Sequence, residues 1–436
     1  VAWVNAFTGD AAGDVRLTRI DLATGHHRRY ASDHLGVLLD RTHLVTTTTN
    51  DPETVRIHTL VDSPDDTHRA RSVPLHALRG ALTVCAVSAN GDVLLVGMRK
   101  GIDDSCWLVD ARTGRADRLS DQVTAFGGFG MFHRGVPCWL SISPSGALAI
   151  RRHLPGSDPA ANAGPSAAVS TQEGVPWDNV VDLMCTPTAG GTVLIESLVL
   201  APAERECEDL LVVMLHGGPR ARWSRKYDQT LQLFVGAGFR VVAPNTRGSS
   251  SDDRAFEQAL EGQWGAVDQD DLAAVLAHLR DERPQARILL VGVSYGAYQA
   301  FQATLADPTV LAGVVLAAGF PSPERLFTEG SSGTQRSLSN QKAIPSTWAR
   351  GSSPRLAAGL PVWVVHGQAD PLIPAGLGEE MAGHLRGAGA DVEVTIVPGA
   401  GHQVLDADES LHDRLLRFAQ RIAAGYPRGT KGTVMR

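Results

Sequence analysis

The stretch RILLVGVSYGAYQAFQATLAD, at residues 287–307, decides the fold of the C-terminal half of this chain. Its apolar start predicts a buried strand, and the run after it predicts a helix. Between them lies GVSYG, at 292–296, a GxSxG pattern in the strand–turn–helix context of a nucleophile elbow. The two glycines permit a tight turn, which exposes the Ser294 hydroxyl at the end of the strand. The pattern predicts Ser294 as a nucleophile and the backbone N–H of Tyr295 as a donor to an oxyanion.

Apolar strands and amphipathic helices alternate on both sides of this stretch. Strands with two apolar faces that alternate with helices predict a doubly wound, mostly parallel sheet. With the elbow, this pattern indicates an α/β-hydrolase domain over 178–427, followed by a tail at 428–436. The predicted strands of its parallel part are LLVVML, RVVAP, RILLV, AGVVLAAG, PVWVVHG and DVEVTIVPG.

A serine hydroxyl is a weak nucleophile and needs a general base. In α/β-hydrolases the acid and then the histidine follow the serine along the chain. Asp370, in VWVVHGQADPLIP, and His402, in VTIVPGAGHQV, each lie on a loop directly after an apolar strand. These loops leave the same sheet edge as the elbow, so the three side chains are predicted to converge. Other histidines and acids are less well placed, either before the loop, within a helix or away from a core strand: His366, His384, Glu379 and Asp391.

The motif HGGP, at 216–219, follows the strand LLVVML. Glycine lets the backbone approach a developing oxyanion closely, so Gly217 and Gly218 are predicted to supply the second donor. We interpret the acids Asp268, Asp270 and Asp271 as residues that favour the start of a helix, not as a metal cluster. The predicted chemistry needs no metal and no organic cofactor.

Residues 1–160 alternate short apolar runs with turn signals and read as an all-β domain. RLTRIDLATGHHRRY, at 16–30, resembles SCWLVDARTGRADRL, at 105–119, and their turn glycines lie 89 residues apart. That spacing equals two units of about 44 residues, a period typical of β-propeller blades. We predict a β-propeller-like domain that is short or truncated, with unrelated hairpins in a sandwich as the alternative. Residues 161–177, rich in Pro, Ala, Gly and Ser, are predicted to be a linker.

The composition of the chain argues against some classes of function. The net charge is −7 with no basic block, which argues against a nucleic-acid partner. No apolar stretch approaches the roughly 20 residues of a membrane span, and no leader pattern is visible, so a cytoplasmic location is expected. Five cysteines without a CxxC pair are interpreted as free thiols. Arginine far outnumbers lysine among the 40 basic residues, which is typical of a GC-rich bacterial genome.

Over about 178–425 the chain resembles the prolyl oligopeptidase family of serine peptidases, closest to its acylaminoacyl-peptidase and dipeptidyl-peptidase-like branch. The resemblance implies a peptidase of short peptides with a β-propeller before its hydrolase domain. It rests on HGGP (216–219), NTRGSS (245–250), GQWGAVDQDDL (262–272), GVSYGAYQA (292–300), SSPRLAAGLPVWVVHGQAD (352–370) and GAGH (399–402).

Two positions depart from the family pattern. Leu372 stands where relatives often carry an Arg that binds a substrate carbonyl, and NTRGSS lacks the usual aromatic residue. Arg247 could replace that donor or could be a structural ion-pair partner. Phe320, Leu326 and Phe327, after the next strand, could line an apolar specificity pocket or belong to the core.

The sequence thus predicts a serine peptidase that hydrolyses short peptides through an acyl-enzyme, using Ser294, His402 and Asp370. An esterase, a thioesterase or a peptide-tailoring acyltransferase on the same fold is the alternative among enzymes. A non-catalytic propeller interaction protein is the alternative of another class. Expected partners are a short peptide or small acyl substrate, with no nucleic acid or membrane. A homo-oligomer is compatible with the sequence.

Overall fold

The computed structural model describes nearly all of the C-terminal half of the chain and, before it, mainly the strands of the all-β region. The described residues are 2–7, 15–20, 27–30, 34–38, 43–48, 54–59, 70–75, 78, 81–119, 125–142, 148–153, 168–170, 179–202, 207, 210–344 and 359–425. The chain divides into two compact units, Val1–Gly174 with Arg225–Tyr227, and Val175–Ser224 with Asp228–Arg436.

The first unit contains small antiparallel sheets in which consecutive strands pair. The first sheet has three described strands and each of the next three has four. Their bounds are β1 Ala2–Phe7, β2 Val15–Ile20 and β3 His27–Tyr30; β4 His34–Leu38, β5 His43–Thr48, β6 Thr54–Thr59 and β7 Ala70–Pro74; β8 Ala81–Val87, β9 Val93–Lys100, β10 Asp103–Asp110 and β11 Ala116–Arg118; β12 Ala125–His133, β13 Val136–Ile142, β14 Leu148–Arg152 and β15 Ala168–Ser170.

The repeat seen in the sequence coincides with the last hairpin of a sheet. Residues 105–119 contain most of β10 and all of β11, and residues 16–30 contain most of β2 and all of β3. Gly114 turns between β10 and β11 with φ of 73°, a left-handed conformation that glycine adopts without strain. β15 lies within 161–177, the stretch predicted as a linker, and pairs with β14. This strand was not predicted because it is only three residues long, AVS, and lies in a Pro- and Gly-rich stretch.

One eight-stranded sheet forms the centre of the second unit, in the order β16-β17-β19-β18-β20-β21-β22-β23. β16, β17 and β19 pair antiparallel, and β19, β18 and β20–β23 run parallel to one another. The bounds are β16 Asn179–Pro187, β17 Leu194–Pro202, β18 Leu210–Leu215, β19 Arg240–Pro244, β20 Arg287–Val293, β21 Leu311–Ala317, β22 Pro361–Gly367 and β23 Asp391–Val397.

Eight described α-helices accompany this sheet. They are α1 Gln229–Gly236, α2 Arg254–Gln258, α3 Val267–Glu282, α4 Tyr295–Ala306, α5 Pro323–Glu329, α6 Ser332–Asn340, α7 Ala375–Gly387 and α8 Glu409–Ala423. The sequence analysis did not predict α2, α5 and α6, which are short and have no clear apolar period. Each begins at a side-chain N-cap, Asp253, Ser322 or Ser331, which accepts a hydrogen bond from a backbone N–H of the first turn.

The strand order brings the predicted site loops together. The chain runs from β18 outward to β19 and then returns past β18 to β20, so the order reverses between β18 and β20. In open α/β sheets, ligands bind at the carboxyl ends of the strands where the order reverses. HGGP follows β18 and Ser294 follows β20, so both lie at this position. Every residue of β18 and β22 is buried, as expected for strands covered on both faces.

Among the described helices, none has the length and hydropathy that a membrane crossing requires. None of the five cysteines, all of which lie among the described residues, forms a disulfide.

Candidate active site

Ser294 occupies a strained turn between β20 and α4. Its φ of 56° and ψ of −116° lie outside the helical and extended regions that a non-glycine residue prefers. Glycines on both sides make the turn feasible. A Cβ on Gly292 would lie 2.1 Å from the Gly296 carbonyl oxygen, and a Cβ on Gly296 would lie 2.3 Å from that of Leu215. The backbone therefore closes on itself as a nucleophile elbow does.

Ser294, His402 and Asp370 form one hydrogen-bonded chain. The Ser294 hydroxyl donates to His402 Nε2 over 3.0 Å, and His402 Nδ1–H donates to Asp370 Oδ2 over 2.7 Å. A glycine lets the two supporting loops approach each other, since a Cβ on Gly367 would lie 2.2 Å from the Gly401 carbonyl oxygen. The structure thus brings together the three residues that the sequence analysis grouped.

The Asp370 carboxylate is completely buried and accepts hydrogen bonds at both oxygens. Oδ1 accepts from the backbone N–H groups of Leu372 and Ile373, at 2.8 and 3.0 Å. Burial raises the pKa of Asp370, but hydrogen bonds from His366, His402 and these two amides outweigh burial and hold the pKa below its usual range. Asp370 is therefore ionised at neutral pH and keeps the proton of the imidazole on Nδ1.

Backbone amides suited to an oxyanion surround Ser294. The Tyr295 N–H is in the first turn of α4, where amides have no acceptor within the helix. A Cβ on Gly217 would lie 3.3 Å from Ser294 Cβ, so only a glycine lets this loop run so close to the serine. Gly218, with φ of 112°, lines the same cavity as Ser294. The structure therefore gathers all three predicted oxyanion residues around the serine.

His216, which the sequence analysis did not single out, anchors this loop. Its Nδ1–H donates to the Gly217 carbonyl over 2.7 Å, and Nε2 accepts from the Ser249 hydroxyl over 2.9 Å. Burial lowers the pKa of His216 to about 4, although its hydrogen bond to Gly217 acts in the opposite direction. A neutral imidazole with this tautomer satisfies both bonds and fixes the orientation of the Gly217 peptide.

A cavity of about 200 Å³ opens beside Ser294 and His402. Phe320 and Leu326 line it, as one of the two sequence interpretations proposed, and Leu372 lies at its wall with 46% of its surface exposed. Phe327 does not line it, because Leu326 faces the cavity and the next residue of α5 points elsewhere and is exposed. The other lining residues are Gly218, Trp264, Tyr295, Gly333, Thr334, Ser337, Leu338, Gln341 and Ile373.

The model of the prolyl oligopeptidase family matches residues 225–425, which include the elbow and both of its partner residues. Residues 225–425 of this chain are similar to the prolyl oligopeptidase family. The resemblance inferred from the motifs is therefore confirmed over these residues.

Individual relatives of this family are distant. The uncharacterized peptidase YuxL of Bacillus subtilis is 24% identical over 228 residues, which are 49% of this chain and 34% of the relative. Dipeptidyl aminopeptidase BIII of Pseudoxanthomonas mexicana is 36% identical over 90 residues, which are 20% of this chain and 13% of the relative. This chain therefore spans at most about a third of the length of these two family members.

Solved structures of the family share the fold. The acylaminoacyl peptidase of Pyrococcus horikoshii superposes with a TM-score of 0.73 at 13% identity, over 97% of this chain and 69% of the other. A puromycin-hydrolyzing peptidase of Mycobacterium tuberculosis gives a TM-score of 0.72 at 19% identity, over 96% of this chain and 66% of the other. At such identities the likeness concerns the fold.

Arg247, in the loop that departs from the family pattern, is bound within the protein. Its guanidinium donates to Asp271 at 2.7 and 2.9 Å and to the Val267 carbonyl at 3.2 Å. Asp271 is fully buried, and Arg247 is not among the described residues that line the cavity. Of the two interpretations of Arg247, the structure therefore agrees with the ion pair. The substrate-binding interpretation stays a prediction; it did not consider the buried acid that α3 directs toward this loop.

The motif Trp264-Gly265 with Asp268 places a buried network beneath the elbow. The Tyr295 hydroxyl donates to Asp268 Oδ2 over 2.7 Å, and the Trp264 and Tyr295 rings meet edge to face at 4.7 Å. Burial raises the pKa of Asp268 to about 6, although the bond from Tyr295 lowers it. The interpretation of this acid by helix position alone missed its contact with Tyr295, which α3 and α4 create by packing together. The described residues contain no cluster of three or more side chains suited to a metal ion.

Proposed function

We propose that this chain is a serine peptidase that cleaves short peptides through an acyl-enzyme. The observation that carries the proposal is the hydrogen-bonded chain from Ser294 through His402 to the ionised Asp370. The match of residues 225–425 to the prolyl oligopeptidase family model supports the same chemistry.

In the proposed reaction, Ser294 Oγ attacks the scissile carbonyl carbon while its proton passes to His402 Nε2. The negative charge that develops on the carbonyl oxygen accepts hydrogen bonds from the Tyr295 amide and the Gly217–Gly218 loop. The C–N bond then breaks as His402 returns the proton to the leaving amine. Water, deprotonated by His402, then attacks the acyl carbon; the bond from this carbon to Ser294 Oγ breaks, and His402 returns the proton to Oγ. Asp370 stabilises the imidazolium and fixes its tautomer throughout.

The wall of the cavity suggests the class of side chain that precedes the scissile bond. Half of the lining residues are aromatic or aliphatic, and Tyr298 stacks on the cavity residue Phe320 at 5.1 Å, which stiffens the wall. An apolar side chain of moderate size would bury its surface here, at roughly 25 cal/mol per Å². We propose peptides with such a residue, in the aminoacyl or acylaminoacyl form that the names of the relatives suggest.

A second candidate, an esterase, thioesterase or acyltransferase, is favoured by one observation. The family's usual carbonyl-binding Arg is replaced by Leu372, and Arg247 is already engaged by Asp271. If no other donor binds the peptide backbone, esters with an activated carbonyl would react better than amides. Ester turnover far above peptide turnover, with a Leu372→Arg variant that gains only on peptides, would favour this candidate.

The test of the serine chemistry uses Ser294→Ala with Ser410→Ala as the matched control, since Ser410 is exposed on α8 away from the cavity. Labelling by a fluorophosphonate and hydrolysis of aminoacyl-nitroanilides, acylaminoacyl-nitroanilides and nitrophenyl esters are measured. We expect Ser294→Ala to lose labelling and at least about 10³-fold in turnover while its melting temperature stays unchanged. A parent that neither labels nor turns over any substrate would refute the proposal and favour the non-catalytic interaction protein.

We also propose that the sheets of residues 1–160 are blades of a β-propeller. The proposal is supported by three successive four-stranded antiparallel sheets and by the repeat, which falls at the last described hairpins of the first and third sheets. Trp139 of β13 packs with Leu95 and Cys106 of the preceding sheet, a contact expected between neighbouring blades. A crystal structure with these sheets arranged around a common axis would support it, and one sandwich of two layers would refute it. The cytoplasmic location, the bacterial source and self-assembly stay predictions from the sequence.

A further inference from the structure

His366 is a completely buried histidine that the proposed reaction does not use. It lies near the end of β22, four residues before Asp370. Its Nε2 is 2.9 Å from the Ile373 carbonyl oxygen and 3.4 Å from Asp370 Oδ2. Both of those oxygens can only accept, so Nε2 carries the hydrogen and faces the two of them together.

This N–H also makes a longer, charge-assisted contact with the acid. Asp370 Oδ2, which accepts from His402, is the oxygen that His366 approaches, while Oδ1 accepts from the amides of Leu372 and Ile373. A carboxylate held by three hydrogen bonds and this contact cannot rotate without losing some of them. The direction in which it presents Oδ2 to His402 is therefore fixed.

The same imidazole also anchors the loop that forms part of the cavity. Ile373, whose carbonyl accepts from His366, has its side chain in the cavity wall beside Ser294. Residues 370–373 thus form one small unit, bound at its start through the Asp370 carboxylate and at its end through the Ile373 carbonyl.

Helix α7 packs against Nδ1, the other ring nitrogen of His366. A Cβ on Gly378 would lie 2.6 Å from His366 Nδ1, so the helix backbone passes directly against the ring. Within the described part of the chain, Nδ1 has no hydrogen-bond partner. Packing against Gly378, and not a second hydrogen bond, sets the position of the ring.

We propose that His366 is a positioning residue, whose Nε2–H fixes Asp370 and the 370–373 loop in the geometry that His402 needs. The inference rests on the proposed serine chemistry. It assigns to His366 no contact with substrate and no part in proton transfer.

The experiment compares His366→Gln, which can present an N–H at the position of Nε2, with His366→Leu, which fills space but cannot donate. Initial rates on a nitrophenyl ester and the rate of fluorophosphonate labelling are measured, with melting temperatures alongside. We expect His366→Leu to lose tenfold or more in kcat/KM and in labelling rate, and His366→Gln to stay within about threefold of the parent. A residue needed only for packing would give the reverse order, because leucine suits a buried apolar site better than glutamine.

A second pair of variants leaves the histidine in place. Gly378→Ala adds a methyl group against the ring, whereas Gly383→Ala, on the same helix, has nothing within 4 Å of the new Cβ. We expect Gly378→Ala to lose at least fivefold in labelling rate and Gly383→Ala to match the parent. Gln and Leu variants that react equally would overturn the inference. If His366→Leu fails to fold, equal rates in the two glycine variants would still overturn it. A parent that does not label at all would instead refute the proposed function on which it rests.

Discussion

The ion pair of Arg247 with Asp271 shows how one residue can stabilise the folded protein without lining the cavity beside Ser294. The carboxylate of Asp271 is fully buried, and the guanidinium that neutralises it is 20% exposed. Breaking a buried pair by removing one partner leaves an uncompensated charge, which costs about 3–5 kcal/mol. This cost is unrelated to substrate binding, so the two roles considered for Arg247 make different predictions.

We expect Arg247→Ala to lower the free energy of unfolding by about 3 kcal/mol or more. Its kcat/KM values on a peptide and on a minimal ester should change in parallel. Urea unfolding and the two assays measure this, with Arg417→Ala, an exposed arginine of α8, as the control expected within about 0.5 kcal/mol of the parent. Unchanged stability together with a loss confined to peptides would return Arg247 to a substrate-binding role.

At the scale of elements, the elbow depends on how closely β18, β20 and α4 approach one another. α4 begins immediately after Ser294, and its second residue, Gly296, lies against the end of β18. No side chain fits there, since the nearest atoms belong to the backbone and cannot rotate away. The glycine is therefore required by the packing of three elements and not only by the turn.

We expect Gly296→Ala to destabilise the protein by roughly 3 kcal/mol or more and to abolish fluorophosphonate labelling, because its Cβ would lie 2.3 Å from the Leu215 carbonyl oxygen. Gly376→Ala is the matched control, since nothing lies within 4 Å of its Cβ and alanine favours a helix over glycine. Thermal unfolding and labelling would be measured on both. A Gly296→Ala protein that labels normally would contradict the close approach of β18 and α4.

The folding of the whole molecule depends on pH through Asp268. Burial raises the pKa of this carboxyl to about 6, whereas the unfolded chain has the ordinary value of 3.8. Below pH 3.8 the carboxyl is protonated in both the folded and the unfolded state, so it does not make the free energy of unfolding depend on pH there. As pH rises from about 4 to 6, the unfolded state ionises first, and the contribution of Asp268 to stability falls. Asp370, whose pKa is lowered, acts in the opposite sense and only below its ordinary value.

We expect the stability of the parent relative to Asp268→Asn to decrease by up to roughly 3 kcal/mol between pH 4 and pH 7. The comparison of the two proteins by urea unfolding cancels the titration of other groups, including His216. Asp268→Asn keeps an acceptor for the Tyr295 hydroxyl, so labelling at pH 7 should remain measurable. A difference that is constant over this range would mean that Asp268 is ionised equally in both states.

Local patterns in the sequence determined much of this protein. The GxSxG turn, the apolar strands and the loops after them sufficed to predict the parallel sheet and to group Ser294, Asp370 and His402. This works because the direction of parallel strands brings all their carboxyl ends to one edge, whatever the details of packing. The prolyl oligopeptidase motifs added the resemblance to the family, which the comparison confirms over residues 225–425. The propeller remains a prediction supported by repeated sheets.

Only the tertiary structure decided which polar residues become hydrogen-bond or ion-pair partners. Arg247 binds Asp271 across 24 residues, Asp268 binds Tyr295 across 27, and His216 binds Ser249 across 33. No local period encodes such pairs, because they arise when separate helices and loops pack against one sheet. The capped helices α5 and α6, which contribute to the cavity wall, were not predicted because they are short and each buries few apolar residues. His366 and His216 each precede a glycine near the end of a buried strand, but what each imidazole binds depends on the chain that folds over it.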